Sequence, residues 1–117
     1  MHFIQGQTRL VILTKNYAIK LPNFLKGYKQ FLYGLISNLQ ELEFQHKSPY
    51  LLPIQWSSYF GIVLVFKRVE MLSTMLPKKE FNKIVETLHG YPKIDYKLDS
   101  FGILNGQIYI IDYGTTV

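Results

Sequence analysis

Residues that could carry chemistry are concentrated near the C-terminal end of the sequence. Asp95, Lys97 and Ser100 share the segment IDYKLDS, and Asp112 follows the apolar run IYII, with Gly114 two residues later. A carboxylate at the end of a buried strand is held rigidly, and a following glycine lets the backbone turn around it. This pattern is typical of a metal-binding or phosphate-binding position, although an ordinary turn also explains Asp112 taken alone.

A second candidate is Lys20, in the apolar segment YAIK. It is either a solvated strand residue or a lysine directed at phosphate oxygens, and the second role needs a carboxylate to hold it in place. At about 100° per residue, Glu43 falls within the apolar face of the next predicted helix, whereas Glu41 points to the opposite side. Because a buried carboxylate needs a partner, we expect Glu43 to pair with Lys20, with Glu41 as the second choice. The alternative is a frayed helix end with Glu43 in solvent.

The elements that must position these residues follow from hydrophobic periodicity. Short β-branched and aromatic runs predict strands, and apolar residues at three- and four-residue spacing predict helices. Asn105-Gly106 predicts a tight hairpin turn. The predicted order is β-β-α-β-β-α-β-β, an α+β fold. The predicted strands are 9–13, 17–21, 51–56, 60–69, 101–104 and 107–111, and the helices are 27–47 and a shorter one from Pro77 to about Gly90.

The first predicted helix carries an apolar face that we expect to pack on the sheet. The members of this face are Tyr28, Phe31, Leu32, Leu35, Leu39 and Leu42.

Composition limits the classes of function. The 117 residues suffice for one domain, and the hydrophobic fraction of 48% supports a packed core. Charged residues make up only 18%, so we expect some apolar side chains on the surface, where they mark a partner site. The net charge of +5 suits an anionic partner. Cysteine is absent from the sequence, which excludes thiol chemistry and disulfides.

In their order along the chain, these motifs resemble those of the protein-kinase-like fold. A strand lysine (YAIK), a helix with a glutamate, two strands and a hinge are followed by a helix, a D-x-K-x-x-S segment, a hairpin and Asp-Tyr-Gly. The resemblance is closest to the small divergent kinase-like proteins of bacteriophages. It implies a single truncated domain over 1–117, with a kinase N-lobe-like antiparallel sheet and one long helix. It also implies a short helix and a C-terminal β-hairpin resembling a remnant catalytic loop.

The resemblance implies roles in nucleotide binding for four residues. Lys20 would contact the phosphates, and Glu43, or as second choice Glu41, would hold it. Glu70 and the hinge around it would face an adenine ring.

The resemblance also implies catalytic and metal-binding roles. Asp95 would be the catalytic base and Lys97 would offer charge to the transferred phosphoryl group. Asp112 would hold Mg²⁺, and Ser100 would replace the usual asparagine as a weaker second ligand.

The sequence departs from the family pattern in ways that weaken catalysis. Only Gly6 stands where a glycine-rich loop would cover the phosphates, and Lys93-Ile94 replaces the usual His-Arg before the catalytic aspartate. The sequence ends three residues after Gly114, so we expect neither an activation segment nor a helical lobe for a protein substrate. Because phosphoryl transfer depends on positioning and charge stabilisation, we expect this chain to be a poor catalyst.

We therefore expect a small pseudokinase-like regulator or inhibitor of viral origin that binds a host protein. The alternative is a minimal kinase that binds ATP and Mg²⁺ and transfers phosphate with Lys20, Asp95 and Asp112. A second alternative is a basic nucleic-acid-binding module. We expect a cytoplasmic location, in the host if the protein is viral, and no membrane association. The first fifteen residues lack a signal-type apolar core, and no run approaches the roughly 18 apolar residues of a membrane span.

Overall fold

In the part of the chain that the structure describes, the sheets and α-helices number two each and both sheets are antiparallel, which confirms the α+β class. The computed structural model describes residues 2–6, 8–89, 94, 96–111 and 113. The strands are β1 (His2–Gln5), β2 (Arg9–Leu13), β3 (Tyr17–Pro22), β4 (Ile54–Ser57), β5 (Leu64–Lys67), β6 (Glu70–Met71), β7 (Phe101–Leu104) and β8 (Gln107–Ile110). The helices are α1 (Tyr28–Phe44) and α2 (Lys78–Glu86), with short 3-10 turns at Phe24–Lys26, Tyr59–Gly61 and Leu98–Ser100.

The larger sheet has five strands in the order β1-β2-β3-β5-β4. Its centre is the predicted hairpin of β2 and β3, in which Val11 lies opposite Lys20 and Leu13 opposite Ala18. The turn between them closes when the backbone N–H of Thr14 donates to the carbonyl of Tyr17 at 2.8 Å. The sequence prediction missed β1, whose four residues are all exposed, because an exposed edge strand leaves no alternation of buried residues.

The second strand pair is shorter than predicted. Residues 60–69 were expected to form one strand, but β5 begins only at Leu64. Phe60 and Gly61 have φ angles of 64° and 67°, in the left-handed region, so this part of the predicted strand is a turn and not extended backbone. Within β5, Leu64 and Phe66 are buried in the core and Val65 is half-buried.

The smaller sheet joins β6, β7 and β8. Asn105 and Gly106 have φ angles of 53° and 79°, which is the conformation that a two-residue hairpin turn requires, so this predicted hairpin is confirmed. The two sheets are linked where the carbonyl of Ile110 accepts from the N–H of Leu52 at 3.0 Å. Phe66, Leu88 and Phe101 belong to the core that these elements share.

Helix α1 is rotated away from the face that the apolar pattern predicted. Its buried residues are Gly34, Ser37, Asn38, Glu41 and Phe44. Of the predicted face, Tyr28, Leu32 and Leu39 are exposed and Phe31, Leu35 and Leu42 are half-buried. One reason for this packing is steric. A Cβ on Gly34 would lie 2.9 Å from the Cα of Pro22 and closer still to the carbonyl oxygen of Thr8, so only glycine allows this approach to the sheet.

In the part of the chain that the structure describes, no helix is both long and apolar enough to cross a membrane.

Candidate functional site

The candidate site is built around an ion pair between β3 and α1. Nζ of Lys20 lies 3.3 Å from each carboxylate oxygen of Glu41. Lys20 is only 8% exposed and Glu41 is fully buried. The prediction that Glu43 makes this pair is wrong, because Glu43 is exposed. Glu43 does lie on the apolar stripe of α1, as its spacing indicates, but that stripe faces solvent, so the second choice, Glu41, is the partner.

Arg9 is a member of the site that the sequence interpretation missed. Its Nη1 lies 2.8 Å from Oε1 of Glu41, its Nη2 lies 3.3 Å from Oε2, and Nη1 also lies 3.3 Å from Oδ1 of Asn38. The hairpin register contained the signal. Val11 lies opposite Lys20, so Arg9, two residues earlier, belongs to the same face of the sheet.

The C-terminal segment closes the site from the other side. The carbonyl of Ile111 accepts a hydrogen bond from Nζ of Lys20 at 2.7 Å, and the backbone N–H of Tyr113 donates to Oε2 of Glu41 at 3.0 Å. Asp112, the predicted Mg²⁺ ligand, lies outside the described residues. Both of its neighbours contact the ion pair. The structure thus brings the strand lysine, the helix glutamate and this segment together.

Tyr113 joins the polar site to the core. Its ring is fully buried, and its hydroxyl donates to the carbonyl of Leu52 at 2.7 Å. Burial raises the pKa of the Tyr113 phenol far above its ordinary range, the negative charge of Glu41 raises this pKa further, and Arg9 opposes them. The phenol is therefore neutral at physiological pH and acts as a hydrogen-bond donor.

The remaining predicted site residues are more dispersed. Asp95 lies outside the described residues. Lys97 is exposed and its Nζ lies 3.8 Å from Asp99 Oδ1, an ion pair on the surface, where such pairs contribute little. Ser100 is buried, and its carbonyl accepts from the N–H of Ile111 at 3.0 Å, which places it beside the C-terminal segment. Glu70 is exposed on β6.

Among the described residues, no group of three or more His, Cys, Asp or Glu side chains has the arrangement of a metal site.

A cleft of about 550 Å³ opens beside the ion pair. Its charged lining consists of Arg9, Lys20, Lys67 and Arg68, of which the first two are paired with Glu41, together with the carboxylate of Asp99. Its apolar wall includes Ala18, Phe66, Val69 and Met71, and the last two are the sequence neighbours of Glu70. Cationic and apolar groups in one cavity suit a ligand with both an anionic group and a flat apolar group.

Comparison of the chain with protein-family models gives no match, and comparison with curated proteins gives none. The geometry of Lys20, Glu41, Arg9 and the cleft beside them therefore carries the functional conclusion.

Proposed function

We propose that the chain is a pseudokinase-like regulator that acts by binding a host protein and not by phosphoryl transfer. The observation that carries this proposal is the environment of Lys20. An ammonium group has three N–H donors, and three acceptors of the chain itself lie within 3.3 Å of Nζ: the two oxygens of Glu41 and the carbonyl of Ile111. Under this proposal, the role of Lys20 is to hold β3, α1 and the C-terminal segment together.

The kinase-like part of the proposal is supported by the pairing of a strand lysine with a helix glutamate. In protein kinases such a pair must be in place for phosphoryl transfer, with the lysine placed at the nucleotide phosphates. Here Arg9 adds a second cation to the same carboxylate. Removing one partner from such a buried cluster costs several kcal/mol, because the remaining charge is left buried without its counter-charge.

The charge distribution supports an acidic protein as the partner. Residues 1–69 contain eight Lys and Arg but only two Asp and Glu, and one of these two, Glu41, is buried. Lys67 and Arg68 are exposed where β5 ends and also line the cleft. A positive surface of this kind accelerates association with a negatively charged partner.

A phosphotransfer assay tests the proposal. The purified chain is incubated with Mg·ATP labelled at the γ-phosphate and with general acceptor proteins, and we expect no transfer above background. Lys79→Ala, a change of an exposed lysine on α2, serves as the control for loss of a positive charge. Transfer that survives Lys79→Ala but disappears in both Lys20→Ala and Asp112→Ala would refute the proposal.

The cleft favours a second candidate function, the binding of ATP in a minimal kinase. Its cationic residues fit phosphate groups, and its apolar wall fits an adenine ring. A calorimetric titration with ATP, with and without Mg²⁺, tests this candidate. Binding that is weakened by Lys67→Glu and unaffected by Lys79→Glu would support it. The absence of both heat and a rise in melting temperature at millimolar ATP would exclude it.

A further inference from the structure

The solvent side of α1 carries a stripe of apolar residues. Tyr28, Leu32, Ile36 and Leu39 are all exposed, and Tyr28 is 82% exposed. Their spacing of three and four residues places them on one side of the helix, opposite to Glu41. An amphipathic helix normally buries such a stripe, so its exposure indicates a surface that another molecule covers.

Further exposed aromatic residues lie next to this stripe, one before the helix begins and two in a turn whose Gly61 lies beside Leu39. Phe24 precedes α1 in a 3-10 turn, and Tyr59 and Phe60, 91% and 83% exposed, lie in the turn Tyr59–Gly61. That turn is fixed beside α1, because Nδ2 of Asn38 donates to the carbonyl of Gly61 at 2.9 Å. We call the stripe together with these aromatic residues the outer face.

The area of the outer face is sufficient for a stable dimer. A large aromatic side chain offers about 150–250 Å². At their observed exposures, Phe24, Tyr28, Tyr59 and Phe60 together present roughly 600 Å² before the aliphatic residues are added. A standard protein interface buries about 800 Å² on each partner, so the complete outer face reaches that size.

The charges of the outer face are complementary to themselves. Lys29 lies at one end of the stripe and Glu43 at the other, both exposed, and about 21 Å of helix separates them. When a second α1 helix is laid antiparallel on the first, each Lys29 meets the Glu43 of the second copy. A two-fold axis near Ile36 generates both contacts at once, which is the defining property of an isologous interface. Lys47 lies beyond the end of α1, and its Nζ lies 5.6 Å from the ring centroid of the buried Phe44.

We propose that the outer face binds a second copy of this chain, with the two α1 helices antiparallel and Lys29 of each copy paired with Glu43 of the other. Helices that pack in this way lie about 8–10 Å apart, which lets Leu32, Ile36 and Leu39 interdigitate across the axis. The inference does not depend on the proposed function, because it uses neither the cleft nor the Lys20–Glu41 pair.

Analytical ultracentrifugation of the full chain over a concentration series tests the inference. We expect a monomer–dimer equilibrium that Leu32→Glu shifts to monomer. Since Leu32 is exposed in the single chain, its replacement leaves the urea unfolding midpoint of the monomer unchanged, which separates loss of the interface from loss of the fold. A wild-type chain that remains monomeric at several hundred micromolar would overturn the proposal. It would be overturned in the same way if a different protein were the one that covers the outer face.

A charge exchange tests the antiparallel arrangement itself. Lys29→Glu and Glu43→Lys each create two like-charge contacts in the homodimer, and we expect each to weaken self-association about tenfold. When the two variants are mixed in equal amounts, both contacts become attractive again, and the mixture is expected to associate about as strongly as wild type. Lys79→Glu, on α2, should have no effect. A mixture that associates no better than either variant alone would contradict the proposed arrangement.

Discussion

Replacing Glu41 by glutamine is expected to destabilise the fold strongly. Glu41 is fully buried, and it accepts hydrogen bonds from Arg9, Lys20 and the backbone N–H of Tyr113. Glutamine has nearly the same shape but no charge, so Arg9 and Lys20 lose their shared counter-charge in a buried environment. Removal of one partner from a buried ion pair costs about 3–5 kcal/mol. Because the amide oxygen of glutamine still accepts one hydrogen bond, we expect about 3 kcal/mol.

Urea unfolding followed by circular dichroism measures this loss. A domain of this size is stabilised by about 5–15 kcal/mol, so the variant folds but with a much lower midpoint. With a slope of about 1.5–2 kcal/mol per molar urea, the midpoint falls by about 1.5–2 M. Glu43→Gln is the matched control on the same helix. Glu43 is exposed, and its replacement should change the free energy of unfolding by less than about 0.5 kcal/mol.

The opposite ranking of the two variants would refute this description of the site. If Glu41→Gln unfolds within 1 kcal/mol of wild type while Glu43→Gln is strongly destabilised, the helix packs with the face that the sequence pattern originally indicated. The Lys20–Glu41 pair would then have no structural role.

Other perturbations probe the same packing. Gly34→Ala should cost about 3 kcal/mol or more, because its Cβ would overlap the carbonyl of Thr8, and a loss below 0.5 kcal/mol in urea unfolding would contradict the close approach. Asn38→Ala should cost about 1–3 kcal/mol in the same assay, since the buried carbonyl of Gly61 loses its donor, and an unchanged midpoint would count against that contact. The raised pKa of Tyr113 means that the folded state retains a proton that the unfolded state releases above pH 10, the ordinary value. Below pH 10, the contribution of Tyr113 to the free energy of unfolding should therefore not change with pH. Above pH 10, the free energy of unfolding should fall by up to about 1.4 kcal/mol per pH unit, and Tyr113→Phe should flatten that slope.

Local sequence signals predicted the hairpins and the second helix correctly. Asn105-Gly106 identifies its turn because both residues tolerate the left-handed conformation that they adopt. In α2, Phe81 and Ile84 are three residues apart, which is a helical spacing, and both are buried. These elements were predictable because the local pattern and the tertiary packing favour the same face.

The packing of α1 and the composition of the site were not predictable from local pattern. Apolar periodicity selects the side of α1 that carries Leu32 and Leu39, but the sheet accepts the side of Gly34 and Glu41. Long-range contacts decide this: the polar residues of α1 meet Arg9 and Lys20, which are brought to one face only when the hairpin forms. The buried side is therefore identified by the partners of its polar residues and not by its hydrophobicity.

A thermal unfolding titration with Mg·ATP tests most directly whether this chain is a binding scaffold or a nucleotide-dependent enzyme. A ligand at 100 times its dissociation constant adds about 2.7 kcal/mol of stability, which corresponds to a rise in melting temperature of roughly 10 °C for a domain of this size. Because the acceptors of Lys20 belong to the chain itself, we predict no rise at millimolar Mg·ATP. A concentration-dependent rise that Lys20→Ala abolishes and Lys79→Ala leaves intact would contradict the proposed function.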